Sequence, residues 1–304
     1  MIRKKIKILF DGIVYRYPFI NFCLRNLNKA FSGLISFRLR PYGVLKIKLE
    51  GGVRFRLATN ETSSVTKLLF WNGAEGYEYT TIFKKIIPSC KVFLDVGANI
   101  GYYSILAAIR NPSVKVFAFE PASAPFYYLK KNVALNELTE RLKIFKVALA
   151  EKNGNINFFE FFNPDAYHTP YNLGGAGTTK KLFESQQRTR NVQVPCQTLD
   201  HFCEENKLIP DLIKLDTEGT ENFILMGGVE TLKRCKPIVI CETLFHVIEE
   251  ELETIMKGLG YEFYNFYQGK LTKAETLKRK TDNGVRDCFF IHPDKYDQVK
   301  IILP

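Results

Sequence analysis

The segment Val92–Leu106, VFLDVGANIGYYSIL, constrains the fold of this chain more strongly than any other stretch. Its apolar run ends at Asp95 and predicts a buried strand, while the following YYSILAAI predicts the start of a helix. Gly97 and Gly101 bracket the turn between them, with Asn99 in the middle. Glycine lets a ligand approach the backbone closely, and a helix start offers free N–H groups. The segment therefore predicts a ligand site at a strand–helix junction.

From residue 91 onward predicted strands and helices alternate, which is typical of a mostly parallel sheet with helices on both faces. The predicted strands are KVFLDV, VKVFAFE, LKIFKVAL, INFFEFF, VQVPCQTL, LIKLD, PIVICE, YEFYNFY and DCFFIH. Helices are predicted over residues 102–110, 123–136, 199–206, 221–233 and 245–260. Because no helical pattern separates the last two strands, we expect them to form an antiparallel pair at one edge. The predicted fold class is α/β.

A second predicted strand ends at Glu120, nineteen residues after Gly101. At this point of a parallel sheet, a carboxylate commonly binds the two hydroxyls of a ribose. The preceding turn has the pattern G-x-N-x-G and not G-x-G-x-x-G, so an adenosyl group without phosphate fits it better than a dinucleotide does. A nicotinamide-dependent oxidoreductase, which would use the same crevice, is therefore the less favoured alternative.

The first 48 residues carry nearly all of the net charge of +11, because they contain eleven Lys and Arg residues against the single acid Asp11. Apolar and aromatic residues lie between these charges, and Pro18 interrupts any single helix. Two interpretations remain open. The segment could contact an anionic membrane surface, or it could form amphipathic helices packed on the rest of the chain or on a second subunit of a homo-oligomer. Since the excess charge is confined here, we expect no nucleic-acid binding.

The segment Val44–Leu57 alternates apolar and polar residues on both sides of Gly51 and Gly52, which predicts a β-hairpin. We therefore expect an N-terminal extension over residues 1–75, with basic helices and this hairpin, and a catalytic domain over residues 76–304. With 46% apolar residues, the 304-residue chain can bury a large core. Its seven cysteines form no CxxC pair and their number is odd, so we expect reduced thiols, a cytoplasmic location and no zinc site.

Three further acids follow neighbouring predicted strands, with Asp216 and Glu218 in KLDTEG and Glu242 at the end of PIVICE. Because the carboxyl ends of parallel strands meet at one edge, we expect these acids near Asp95 and Glu120. They are candidates for a general base, and the first and last of the three are candidate ligands for Mg²⁺. The alternative is that Asp216 and Glu218 only cap a helix.

Histidines provide the remaining candidates for proton transfer. His168 begins the long polar connection HTPYNLGGAGTT between two predicted strands, and connections of this length are often lids over a site. His246 follows the predicted strand PIVICE. Both imidazoles change charge near neutral pH, so both are candidate proton acceptors.

The motifs FLDVGANIGYYSIL, FAFEP, VALAEKNGNINFF, LIKLDTEGTENFILMGGVETL and KPIVICE resemble, in this order over about residues 70–292, the FkbM-like family of S-adenosylmethionine-dependent methyltransferases. The resemblance implies the class I methyltransferase fold, a Rossmann-like, mostly parallel seven-stranded sheet. It also implies S-adenosylmethionine as cofactor and methyl transfer to an oxygen, often a hydroxyl of a sugar, glycan or glycosylated product. A methyltransferase acting on RNA or on another small molecule is the alternative.

The same resemblance assigns roles to individual positions. Four residues match the cofactor-binding first motif of the family: Asp95, Gly97, Asn99 and Gly101. Glu120 matches the ribose-binding acid, and Ala148 lies where contact with adenine is expected. Two residues further on, the family usually has Gly or Ser followed by Asp, where this chain has Ala150 and Glu151.

Overall fold

The computed structural model describes residues 12–161, 171–174 and 189–303 of the chain. Its helices are α1 Pro18–Ala30, α2 Ser64–Asn72, α3 Thr80–Ile86, α4 Tyr102–Arg110, α5 Ser123–Leu135, α6 Leu199–Glu205, α7 Glu221–Met226, α8 Val229–Cys235, α9 Glu249–Gly258 and α10 Tyr296–Val299. Its strands are β1 Gly43–Lys48, β2 Arg54–Thr59, β3 Val92–Val96, β4 Lys115–Phe119, β5 Leu142–Phe145, β6 Ala148–Leu149, β7 Gly154–Phe161, β8 Thr189–Gln197, β9 Leu212–Leu215, β10 Ile238–Glu242, β11 Glu262–Tyr267, β12 Lys270–Ala274 and β13 Asp287–Ile291. Among these residues, no helix combines the length and the apolar composition needed to cross a bilayer.

The main sheet has the strand order β12-β11-β13-β10-β9-β3-β4-β5. Strands β10, β9, β3, β4 and β5 run parallel, while β13 pairs antiparallel with both β10 and β11. This arrangement confirms the predicted α/β fold and the antiparallel pair at its C-terminal end. An eighth strand, β12, extends the predicted seven, because Gln268 and Gly269 both have positive φ and form a tight hairpin turn after β11.

Three predicted boundaries are wrong. The predicted strand LKIFKVAL divides after the edge strand β5, and its last residues form β6 in a separate sheet of order β6-β8-β7. The predicted helix 221–233 breaks at Gly227 and Gly228, where a Cβ on Gly227 would lie 2.3 Å from the carbonyl oxygen of Ala150. The predicted helix 245–260 begins only at α9, because His246 has a φ of 56° that helical backbone cannot adopt.

The hydrophobic core lies on both faces of the main sheet, since successive strand residues point to opposite sides. Phe93 packs with α4 and the β1–β2 hairpin, whereas its neighbour Leu94 packs on the other face with α6 and α9. Phe55 of the hairpin lies against the ring of Tyr102, with ring centroids 5.8 Å apart. The predicted hairpin is thus confirmed, and its apolar face belongs to the same core as the main sheet. The division of the chain at residue 75 stays a prediction.

One buried amide connects the hairpin to the glycine-rich turn. Asn132 on α5 is fully buried, accepts a hydrogen bond from the backbone N–H of Ala58 at 2.6 Å, and donates to the carbonyls of Ala58 and Ile100 at 3.2 and 2.9 Å. One turn later, the partly exposed Asn136 makes a similar pair of bonds with the backbone of Arg56. The side-chain amides of Asn132 and Asn136 thus make similar hydrogen bonds, but the first is buried and the second is partly exposed.

We expect Asn132→Ala to lower the free energy of unfolding by about 3 kcal/mol, because it leaves buried backbone groups without partners. Asn136→Ala serves as the matched control and should cost less than about 1 kcal/mol, because water replaces the lost partner there. Urea denaturation followed by fluorescence measures both values. If both variants lose the same free energy of unfolding, the buried amide of Asn132 does not stabilise the position of the hairpin.

Candidate active site

Lys214 is a buried ammonium group at the centre of the site. It lies in the middle of β9, directly opposite Asp95 of β3, and is 3% exposed. Its Nζ atom donates to the carbonyl oxygen of Gly97 at 3.1 Å and forms ion pairs with Asp95 Oδ1 at 3.5 Å and Asp216 Oδ2 at 3.1 Å. Burial alone would lower the pKa of Lys214, but the charges of Asp216 and Asp95 raise it. Lys214 therefore stays charged and holds the two strand ends together.

Gly97 brings the two sequence motifs into direct contact. Its φ is +73°, and a Cβ at this position would lie only 1.8 Å from the carbonyl oxygen of Asp216. No side chain fits in that space, so glycine is required for the DVGANIG turn to pack on the KLDTEG turn. Gly101, with a φ of +89°, precedes the first residue of α4.

Glu120 follows β4 and is held by the backbone of two loops. Its Oε2 accepts a hydrogen bond from the N–H of Asn99 at 2.8 Å, and its Oε1 accepts one from the N–H of Ala122 at 2.9 Å. The side chain is only 6% exposed, and this burial raises the pKa of Glu120 to about 7. A hydroxyl pair that donates to the carboxylate would favour its charged form.

The first cavity of the site lies over the glycine-rich turn and has a volume of about 390 Å³. Four of the six predicted cofactor-binding residues line it: Gly97, Asn99, Glu120 and Ala148. Asp95 lies beneath the cavity and accepts a hydrogen bond from Ser104, and Gly101 does not line it. The small sheet contributes Asn155 and Phe158 to the opposite wall. Asn99 Oδ1 is buried without a hydrogen-bond partner, so the cavity offers an unused acceptor to a polar ligand.

A second, acidic cavity of about 330 Å³ lies beyond the end of β9. Its charged lining consists of Glu78, Asp216, Glu242, Arg286 and Asp287. Glu242 and Asp287 face each other on paired strands, and Oε2 of Glu242 is buried without a hydrogen-bond partner. Asp216 lines this cavity as well as the first one. The two cavities therefore meet at one carboxylate.

The acids of this cavity have perturbed ionisation. The side chain of Glu78 is exposed, but the protein around the cavity displaces much of the water from its carboxylate. This desolvation, together with the charge of Asp216, raises the pKa of Glu78 to about 7. Burial and the charge of Asp216 also raise the pKa of Glu242, and burial and Glu78 raise that of Asp287. Burial raises the pKa of Glu218, in the first cavity, to about 6. Glu78 and Glu218 can therefore exchange protons near neutral pH.

A different acid, Glu221, makes the hydrogen bonds that the helix-cap alternative would assign to Asp216 and Glu218. Glu221 is fully buried, and its carboxylate accepts hydrogen bonds from the N–H groups of Thr217 and Gly219 at 2.6 and 3.1 Å. The turn before α7 is therefore held by Glu221. Asp216 instead points to Lys214 and to the two cavities.

Of the two predicted histidines, only His246 lies in the described part of the chain. It lines neither cavity of the site, and its ring contacts Phe245 and lies 3.2 Å from the carbonyl oxygen of Arg279. His168 lies outside the described residues, as does most of the polar connection that it begins. Within the described part of the chain, no group of three or more His, Cys, Asp and Glu side chains is arranged to hold a metal ion.

Glu78, Lys214 and Asp287 are not among the site residues predicted from the sequence. For Lys214 a signal existed, because a lysine inside the apolar run LIKL requires a buried anionic partner. Glu78 gave no such signal, since it lies between the tyrosines of GYEYTT. In the structure it has a φ of 41°, and Asn99 and Glu218 also have positive φ, at 51° and 60°. Non-glycine residues rarely adopt this conformation, and they cluster at functional sites.

The family model of the methyltransferase FkbM domain matches residues 95–263, which include both glycine-containing motifs and, of the acidic cavity, Asp216 and Glu242. The chain belongs to the FkbM methyltransferase family. This finding confirms the family that the sequence motifs predict, and it agrees with the observed class I arrangement of the sheet. The described domain is accordingly a methyltransferase domain.

Several curated FkbM-like proteins resemble the chain over part of its length. The 2-O-methyltransferase NoeI of Sinorhizobium fredii is 29% identical over 150 residues, which are 48% of this chain and 60% of NoeI. The 31-O-demethyl-FK506 methyltransferase FkbM of Streptomyces tacrolimicus is 27% identical, over 45% of this chain and 58% of that protein. The chain thus spans about 60% of the length of these relatives.

Solved structures give a weaker likeness. The crystal structure of a methyltransferase FkbM from Methylobacillus flagellatus is 14% identical to this chain, with a TM-score of 0.42. The match covers 66% of this chain and 43% of that one.

The first cavity fits the adenosyl cofactor that the sequence predicts, and Glu120 provides the test. Glu120→Ala removes two charge-assisted hydrogen bonds to a ribose, each worth about 1.5–3 kcal/mol, so affinity for S-adenosylhomocysteine should fall at least about 100-fold. In the unchanged protein a proton competes with the ribose for Glu120. Below pH 7 the affinity should therefore weaken by up to about tenfold per pH unit, and this dependence should vanish in the variant.

Isothermal titration calorimetry between pH 5.5 and 8 measures these affinities. Glu204→Ala, which removes an exposed carboxylate from α6, is the matched control and should bind as the unchanged protein does. Unaltered affinity in Glu120→Ala would reject the ribose contact.

Proposed function

We propose that this protein is an S-adenosylmethionine-dependent O-methyltransferase that methylates a hydroxyl group of a sugar or glycan. One observation carries the proposal: Asp216 lines both the cavity over the glycine-rich turn and the acidic cavity. Methyl transfer requires donor and acceptor to meet in line at a single point. The carboxylate shared by the two cavities marks where such a point would lie.

The donor side of the proposal rests on the first cavity. S-adenosylmethionine, when bound, supplies a sulfonium methyl group that is already electrophilic. Glu120 would accept the two ribose hydroxyls, and Asn99 Oδ1 offers a further acceptor. Lys214 keeps the turn that carries Gly97 fixed against the end of β9, so the donor site is formed before the ligand arrives.

The acceptor side rests on the acidic cavity. Carboxylates accept hydrogen bonds from hydroxyl groups, so a cavity lined by four acids and Arg286 suits a hydroxyl-rich molecule. NoeI, one of the similar proteins, is named a 2-O-methyltransferase, which supports transfer to oxygen. An acceptor bound there would reach the donor beside Asp216.

Proton removal is the chemical step that the protein itself must perform, because a sugar hydroxyl is a weak acid. Glu78, with a pKa of about 7, is poised to accept a proton at neutral pH. Asp216 would orient the hydroxyl at the junction of the cavities, or take its proton directly. Among the described residues, no group of His, Cys, Asp and Glu side chains is arranged to hold Mg²⁺, and the proposal assigns proton removal to the carboxylates themselves.

The cysteines bear on the cellular location of the protein. All seven are free, and six of them are buried in the core. Thiols persist in reducing compartments, which supports a cytoplasmic location.

We expect both Asp216→Asn and Glu78→Gln to reduce turnover about 100-fold or more, while affinity for S-adenosylmethionine stays within about threefold. Because Glu78 accepts a proton only when ionised, the wild-type rate should rise as the pH increases through about 7, and Glu78→Gln should lose this rise. Labelled methyl transfer to an acceptor found among sugars and lipid-linked glycans provides the measurement.

Glu230→Gln, an exposed change on α8 outside both cavities, is the control and should retain full activity. Activity lost with a chelator and restored by Mg²⁺ would contradict direct proton removal. Wild-type turnover in Asp216→Asn would contradict the role of the shared carboxylate, and transfer to nitrogen or carbon acceptors alone would contradict O-methylation.

A further inference from the structure

Helix α1, Pro18–Ala30, is oriented with its polar face inward. Its buried residues are Asn21 and Arg25, which are 0% and 2% exposed. Its large apolar side chains point outward, with Phe19 76% exposed and Phe22 51% exposed. An amphipathic helix on a protein core normally shows the opposite arrangement. We therefore expect the outward apolar face to bind a partner.

The orientation of α1 is fixed by a network of hydrogen bonds. Asn21 donates to the carbonyl of Arg40 at 3.1 Å and accepts from the N–H of Tyr42 at 2.9 Å. The Arg25 guanidinium donates to Asn21 and to the carbonyls of Tyr42 and Val44, each at 3.0–3.2 Å. Turning the helix to bury its apolar face would break all of these bonds. The exposed face is thus built into the fold.

The exposed apolar residues extend over the segment that follows α1. Of the nineteen large apolar side chains that are exposed in the described residues, nine lie between residues 13 and 37. We call them the N-terminal apolar surface, and they are Ile13, Tyr17, Phe19, Phe22, Leu27, Phe31, Leu34, Ile35 and Phe37. Apolar side chains concentrated in this way mark an interaction site, whereas scattered ones do not.

The segment that carries this surface has charges of one sign. Residues 12–49 contain no Asp or Glu and seven Lys and Arg residues. All of these except Arg25 are exposed: Arg16, Lys29, Arg38, Arg40, Lys46 and Lys48. Basic residues mixed with bulky apolar ones are typical of segments that lie in the headgroup region of an anionic bilayer.

We propose that the N-terminal apolar surface binds the surface of a bilayer that contains anionic lipids. Contact with a second copy of the chain is disfavoured, because a two-fold interface would set this basic surface against itself without an acid to neutralise it. A protein interface is also a poorer match, since its core is depleted in lysine and other charged residues. Because the surface is already ordered by its polar bonds, insertion needs no folding of the helix.

The proposal does not depend on methyl transfer, and it is tested by binding alone. The full-length protein is sedimented with vesicles of phosphatidylcholine, with or without one quarter phosphatidylglycerol. We expect it to bind the anionic vesicles and to dissociate as salt is raised from 0.1 to 0.5 M, because this change shortens the Debye length about twofold, from about 10 Å to about 4 Å.

Two double variants separate the apolar contribution from non-specific binding. Phe19→Ser with Leu34→Ser removes the two most exposed apolar side chains of the surface and should weaken vesicle binding at least about tenfold. Ile209→Ser with Ile301→Ser removes side chains that are 67% and 68% exposed elsewhere, and it should leave binding unchanged. Thermal unfolding checks that both variants are folded.

Three results would overturn the proposal. These are equal weakening in both double variants, equal binding to neutral and anionic vesicles, and failure of the unchanged protein to bind any vesicle. Light scattering adds a further test, because a dimer that is dissociated only by the Phe19 and Leu34 changes would assign the surface to a second copy.

Discussion

The site is organised around the buried ammonium group of Lys214. It contacts the strand end at Asp95, the turn carbonyl at Gly97 and the carboxylate of Asp216, and so joins the two distant motifs DVGANIG and KLDTEG. A buried charge is tolerated only when it is paired, and losing a fully buried partner such as Asp95 typically costs about 3–5 kcal/mol. The geometry of both cavities therefore depends on this one side chain, although Lys214 lines neither of them.

The acidic cavity adds a second constraint, because it gathers acids that repel one another. Glu242 and Asp287 are direct cross-strand neighbours, and Glu78 and Asp216 face the same space. Like charges so placed destabilise a sheet unless some of the carboxyls hold protons. Burial and, after it, this repulsion raise the pKa values of Glu78, Glu242 and Asp287. A fold that tolerates this arrangement has a cavity in which protons are readily taken up and released.

Much of the fold could be predicted from the sequence because its signals are local. The strand ending at Asp95, helix α4 and the hairpin around Gly51 follow from periodicity and glycine placement, and the structure has them at the predicted positions. The break at Gly227 and the departure of β6 from the main sheet depend on a close backbone approach and on pairing with Cys196, which are tertiary contacts. Local patterns carry no information about such contacts.

The residues of the candidate site also fall into those that local sequence patterns predict and those that depend on tertiary contacts. Glu120 and Asp216 end apolar strands, so parallel-sheet geometry brings them to one edge, and the sequence indicates this. Glu78 reaches that edge from the segment before α3, in a backbone conformation that its neighbours do not signal. Asn21 and Arg25 are similar, because a polar face turned inward can be recognised only from its bonds to the β1 region.

The two cavities are built from different elements, and this bears on how acceptor specificity can change between related proteins. The cavity over the glycine-rich turn is built from the parallel strands and the small sheet, whereas the acidic cavity is walled by Tyr267, Gln268 and Gly284, on a hairpin and a loop near the C-terminus. Within the described residues, the two linings share only Asp216. Surface turns accept insertions and substitutions far more readily than strand ends do. Under the proposed function, related chains can therefore acquire new acceptors by exchanging these peripheral turns, while the half proposed to bind the methyl donor is inherited unaltered.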